Sequence, residues 1–224
     1  NPAALSHIEF CFDYELDVAK TADTSYTRTY EWEITKTPDG AYSLFEGDEV
    51  VHKYTVAVTK TGYTDSDWAV AGTITIDNNT PYDATVASVA DVVSPDIAAA
   101  VDCAVTFPYT LASGGSLECS YGTDLPDGTD RLNTATVTTS GQVGGGTATA
   151  DVDFSKATVT PVNDEINVTD TNGESWGPLS GTTSVSYTRT FACDADEGEN
   201  GNTATIDETG QSASATVDLD CYDL

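Results

Sequence analysis

The chain of 224 residues carries 37 acidic and only 8 basic side chains, a formal net charge of −29. Such a field repels phosphate backbones and anionic headgroups and excludes a nucleic-acid-binding role, while it attracts cations and is best tolerated where salt screens it. With 39% apolar and 9% aromatic residues the sequence can still build a core, unlike acidic disordered chains, and no run approaches the ~18 apolar residues of a membrane-spanning helix.

Residues 7–20 alternate strictly, with Ile8, Phe10, Phe12, Tyr14, Leu16 and Val18 on one parity, and predict a first strand. The opening Asn1-Pro2-Ala3-Ala4, in a sequence without methionine, reads as a mature product whose leader has been removed or as an excised fragment. Residues 25–35 repeat the alternation through Tyr26, Tyr30, Trp32 and Ile34. Residues 54–59, 71–76 and 84–89 are rich in β-branched side chains at period two. Pro38-Asp39-Gly40, Glu46-Gly47-Asp48, Asp77 to Pro81 and Pro126-Asp127-Gly128 supply turns between them, and residues 94–100 read as a helical turn. Short strands at this spacing predict an all-β fold of immunoglobulin-like antiparallel β-sandwiches.

Five cysteines without metal-ligand spacing point to an oxidising compartment. Cys103 and Cys119 bracket a turn-rich loop, Cys193 and Cys221 bracket the last strands, and each pair is expected to form a disulfide contributing roughly 3 kcal/mol. Cys11 is left over, either as a buried thiol or as an intermolecular bridge.

The sequence repeats internally. Ser25-Tyr-Thr-Arg-Thr-Tyr returns as Ser186-Tyr-Thr-Arg-Thr-Phe, and Asn133-Thr-Ala-Thr-Val returns as Asn202-Thr-Ala-Thr-Ile. Each Asn-Thr-Ala-Thr run follows a cysteine and an acidic, glycine-containing turn, and precedes a Gly-Gln turn (Gly141-Gln142, Gly210-Gln211). The expected organisation is an N-terminal strand at 1–20, a first domain at 21–156 and a second, short domain at 157–224. The second falls short of the ~7 strands of a full sandwich, which leaves an open edge. The end of the chain, Cys221-Tyr222-Asp223, is echoed by Cys11-Phe12-Asp13, so the N-terminal segment resembles a closing strand with no domain of its own. It can fold onto its own first domain or complete the short domain of a neighbour, building an open filament.

The run Cys119, Asp124-Leu-Pro-Asp-Gly-Thr-Asp and Asn133-Thr-Ala-Thr-Val resembles the immunoglobulin-like tandem repeats of bacterial and archaeal extracellular surface proteins. In those repeats an Asn-Thr-Ala-Thr-Val strand precedes a closing hairpin. The resemblance covers the later half of each domain best. It implies an extracellular location and a stalk, filament or adhesin role, without enzyme activity or cofactor.

Catalytic patterns are absent from the sequence: the two histidines, His7 and His52, lie far apart, and no nucleophile elbow, zinc-protease helix or phosphate loop occurs. Asp194, Asp196 and Asn200 place oxygen atoms around Gly198 and are weak calcium candidates, with Thr205 standing where a calcium loop has its last glutamate; Asp124, Asp127 and Asp130 form the corresponding turn. Asn78 and Asn167 head glycosylation sequons. A lysine–asparagine crosslink of the kind some surface domains carry is excluded from residues 157–224, which contain no lysine, whereas Lys20, Lys36, Lys53 and Lys60 leave it open in the first domain with no spacing in its favour. Trp32 reads as core, and Trp68 and Trp176 flank polar turns where they could stack on sugars. The expected partners are copies of the same chain, with surface glycans as the alternative, and neither nucleic acid nor membrane insertion.

Overall fold

The computed structural model describes residues 13–223, most of them in strands. In chain order these begin with β1 (Tyr14–Glu15), β2 (Asp17–Lys20), β3 (Asp23–Thr37), β4 (Gly40–Phe45) and β5 (Glu49–Asp77). They continue with β6 (Ala84–Val93), β7 (Ile97–Asp102), β8 (Tyr109–Leu111), β9 (Ser116–Asp124) and β10 (Arg131–Ser140). Next come β11 (Val143–Gly144), β12 (Gly146–Val152), a 3-10 turn at Phe154–Lys156, β13 (Thr158–Val162) and β14 (Ile166–Asp170). The last elements are β15 (Ser175–Leu179), β16 (Thr183–Ala192), the four-residue helix α1 (Cys193–Asp196), β17 (Gly198–Ile206) and β18 (Ser212–Tyr222). The all-β fold expected from the alternation is the fold observed. Residues 94–100 differ in part from expectation. Residues 94–96 do form a turn, but Ile97, Ala99 and Val101 alternate onto the apolar core, and this period-two burial makes the rest strand β7, paired with β6 and β9.

The strands form two compact units that are interleaved in sequence. Unit 1 takes the chain up to Thr27 and Ser66–Thr160; unit 2 takes Arg28–Asp65 and Pro161–Leu224. In unit 1, β2 and β9 pair antiparallel with the second part of β5, while β12, β10 and β6 form the facing sheet. Its core includes Leu16, Ile74, Ile76, Val86, Ala135 and Val152. In unit 2, β3 neighbours β5, and β16 pairs with the first part of β5 from Glu49 to Val58. The facing sheet runs β15-β14-β17-β18-β4. Trp32, Val56 and Ile206 pack in one cluster between the sheets, and Tyr54, Phe191 and Leu219 in another. Both units are therefore immunoglobulin-like β-sandwiches, and in each an early strand makes a parallel pair: β1 with β11 as a separate two-stranded sheet, β4 with β18 in the facing sheet.

This division corrects the expected domains. The second sandwich is not short and needs no strand from a neighbour, because residues 28–65 of the same chain supply β4, most of β3 and the first part of β5. The edges that looked open, at β16 and β18, are hydrogen-bonded to β5 and β4. The N-terminal segment is corrected in part as well. Leu16 is buried in the core of unit 1 with Tyr14 and Val18 packed against it, so these three complete their own unit. Ile8, Phe10, Cys11 and Phe12 lie outside the described residues. The two sequence repeats also separate. Asn133 and Asn202 begin equivalent stretches of β10 and β17, whereas the Ser-Tyr-Thr-Arg copies sit in the non-equivalent strands β3 and β16.

Candidate functional site

Lysine is rarely buried without a partner, yet each unit encloses one. At the end of β2, Lys20 continues the apolar parity of Leu16 and Val18, so its side chain enters the core of unit 1. Its Nζ lies 2.5 Å from Asp91 Oδ2 on β6, and neither side chain is exposed. The ammonium sits 3.1 Å from the ring centroid of Tyr121 on β9, whose hydroxyl donates to the Thr21 carbonyl. Gly72, opposite Tyr121 in the register, permits this approach: a Cβ there would fall 2.4 Å from the Thr21 oxygen. Asp91 pairs across the sheet with Ala135, so Asn133, two residues earlier on β10, is its diagonal neighbour on the same face. Asn133 is fully buried beside the Tyr121 hydroxyl, and neither its Oδ1 nor its Nδ2 makes a hydrogen bond of good geometry.

Unit 2 repeats the arrangement. Lys36 on β3 reaches Asp170 Oδ2 on β14, again with no exposure of either side chain, and donates to Tyr187 Oη on β16 at 2.9 Å. The Tyr187 hydroxyl donates to Asp170 Oδ1 at 3.0 Å. Asp170 pairs with Ala204, which places Asn202 in the same diagonal position that Asn133 holds in unit 1. Asn202 Nδ2 donates to Tyr187 Oη, as does Asn172 Nδ2 at 3.1 Å. Together with Lys36 these make more donors than the two lone pairs of one phenol oxygen accommodate well. Tyr54 stacks on Tyr187, and its own hydroxyl is buried near Asn202 without a hydrogen bond of good geometry.

The electrostatics follow from burial. Desolvation lowers the Lys20 pKa, against the opposing effects of its hydrogen bond to Asp91 and of the Asp91 charge. Burial, then the Asp91 charge, pushes the Tyr121 hydroxyl up to about 12. Burial is also the main reason the Tyr54 hydroxyl is raised. A buried ion pair costs several kcal/mol of desolvation per ion, and an unpaired buried carboxamide about 1–3 kcal/mol more. Neither unit places these groups at an open cleft.

The two expected disulfides, Cys103–Cys119 and Cys193–Cys221, are both formed. The calcium candidates are corrected. Asp196 accepts from Arg189 and from the Ala192 N–H, Asp194 accepts from the Gly47 N–H, and Asn200 turns its NH₂ donor toward two carbonyls. Among the described residues no three His, Cys, Asp or Glu side chains come together as a group that could hold a metal. Asp127 is likewise occupied by Thr129 and Arg131. Asn78 is corrected as a glycan acceptor: it is fully buried, and its amide donates to the Tyr82 and Leu111 carbonyls. Asn167 is exposed on β14, with its amide held by Glu208 at 2.7 Å. Trp32 is core, as expected; Trp68 stacks on Tyr26, and Trp176 packs near Tyr187, so neither presents an open platform. His52 is a structural histidine, its ring nitrogens bonded to the Tyr42 hydroxyl and the Pro38 carbonyl.

Sequence reasoning missed both clusters, although a signal was present. Lys20-Thr-Ala-Asp and Lys36-Thr-Pro-Asp are a third short repeat.

Acid should act elsewhere, at the exposed carboxylates. Hydrogen bonds from Arg28 hold Asp65 below its ordinary 3.8, and bonds from Asn167 hold Glu208 down although burial opposes them. A carboxylate depressed by folding stabilises above its unfolded pKa and loses that contribution as the pH falls through its folded value. Far-UV circular dichroism against pH should therefore show unfolding setting in only below about pH 4. Compared with protein-family models and with curated proteins, the chain matches none.

Proposed function

We propose that the chain is a structural subunit of an extracellular surface filament or pilus-like fibre, with no enzymatic turnover. The observation that carries this reading is the duplication of one buried lysine–aspartate–tyrosine–asparagine cluster, which ties the two sheets of each sandwich together where no substrate reaches. Two disulfides suit an oxidising, extracellular setting. Among the described residues no helix is long and apolar enough to cross a membrane. The charge of −29 keeps copies apart at low salt and lets them associate when it is screened.

Residues 14–20 belong to unit 1, so the segment we propose for donation is Ile8 to Phe12, added to a sheet edge of a neighbour. A chain beginning at Asp13 keeps β1, β2 and Lys20, and so isolates the question. Electron micrographs and size exclusion in high salt should show fibres or ladders for the intact chain and a compact monomer for the shortened one. Equal assembly of the two would remove strand donation. A monomeric intact chain that binds glycans would replace the fibre by a monomeric adhesin.

A further inference from the structure

We infer that each unit closes a covalent amide bond between its buried lysine and asparagine, Lys20 Nζ to Asn133 Cγ in unit 1 and Lys36 Nζ to Asn202 Cγ in unit 2, with Asp91 and Asp170 relaying the protons. The inference deepens the structural reading above, but its test does not depend on fibre formation.

The geometry supplies the reactants. In both units the lysine touches the aspartate, and the asparagine stands diagonal to that aspartate on the same sheet face. In unit 2 the lysine and the asparagine also share the Tyr187 oxygen. The side chains of Lys20, Asp91, Lys36 and Asp170 are wholly shielded from water, which removes the competing hydrolysis. The repetition of the same chemistry at the same strand positions in two separate cores argues against an accident of packing.

Asn133 identifies the acceptor. A fully buried carboxamide that makes no well-formed hydrogen bond, with only the Tyr121 hydroxyl beside it, is a cost without return if it is only a packing group. It is explained if its carbonyl carbon is the electrophile. The aspartate is a poor electrophile as a carboxylate and a good proton relay, which divides the roles. In unit 1, desolvation favours the neutral amine of Lys20, the nucleophilic form.

The atoms balance without a redox partner. The carboxylate takes one proton from the lysine ammonium, and the freed lone pair attacks Asn Cγ. The aspartic acid passes that proton to Nδ2 and takes the second from Nζ. The Cγ–Nδ2 bond breaks, ammonia leaves with the last proton from the aspartic acid, and the Nζ–Cγ amide remains. The bond joins an early strand to β10 or β17, so neither sandwich can open by peeling from that end.

Intact mass of the purified, reduced and denatured chain tests this directly, because it reads chemistry rather than fold. The expected mass is below that of the 224-residue sequence by one ammonia per unit, two in all, with fragment pairs joined at Lys20–Asn133 and Lys36–Asn202 after proteolysis. Lys36→Arg should restore one ammonia and leave the unit 1 crosslink intact. Asp91→Asn should leave unit 1 uncrosslinked even though its lysine and asparagine are both present. A wild-type mass equal to the sequence would overturn the inference. Loss of water in place of ammonia, mapped to Lys20–Asp91 or Lys36–Asp170, would overturn the assignment of asparagine as acceptor.

Discussion

Asp170→Ala should destabilise unit 2 by about 3–5 kcal/mol, a large share of the 5–15 kcal/mol that holds a typical domain together. The substitution leaves the Lys36 ammonium in a core from which its side chain has no exit to water, and it removes the partner of the Tyr187 hydroxyl. It also removes the proposed proton relay, so any covalent contribution is lost in the same direction. An exposed pair in the same unit gives the contrast. Asp164, half exposed beside Lys60, should cost only about 0–1 kcal/mol when truncated. The tryptophans separate the units: Trp32 and Trp176 lie in unit 2 and Trp68 in unit 1. Denaturant titrations followed by fluorescence should therefore show a shifted transition from Trp32 and Trp176 and an unshifted one from Trp68. A shift no larger than that of Asp164→Ala would mean that the buried pair is not essential to the core.

Both lysines are visible in the alternation, and what singles them out from Lys53 is their parity. Tyr14, Leu16, Val18 and Lys20 share one parity, as do Tyr30, Trp32, Ile34 and Lys36; Val89, Asp91 and Val93, and Ile166, Val168 and Asp170, do the same on the partner strands. Parity assigns a side chain to a face whatever its charge. A charged group on the apolar parity therefore asks for a buried partner of opposite sign, and each lysine had one. The strands themselves, the disulfides and the equivalence of Asn133 and Asn202 were legible because alternation and cysteine spacing are local. Pairing is not local. Nothing in the period-two pattern of β5 tells that Val56 faces the core of unit 2 and Ile74 that of unit 1, or that Asp65 ends one unit's share of the strand. The expected boundary near Lys156 assumed that a domain is contiguous, and the segment that breaks that assumption, 28–65, lies far from it in sequence.

The interleaving has a consequence large enough to test by cutting the chain. Residues 157–224 alone should not fold, although they contain β14 to β18 and the Cys193–Cys221 disulfide. They would lack Trp32, Tyr54, Val56 and Val58, all nearly inaccessible in the intact unit. At about 1.5–3 kcal/mol for each large apolar side chain buried, the loss is comparable to the whole stability of an ordinary domain. The disulfide cannot make it good, since closing that loop contributes only about 3 kcal/mol. Two hydrogen-bonding edges, on β16 and β18, would also be left bare and prone to aggregation. The fragment should give a disordered circular dichroism spectrum or precipitate. Supplying residues 28–65, in trans or joined by a flexible linker, should restore a cooperative transition with a shielded Trp32. If 157–224 folds unaided, unit 2 is contiguous after all; if it folds only with 28–65, the two sandwiches must form from strands that the ribosome delivers far apart, and folding of unit 2 has to wait for the end of the chain.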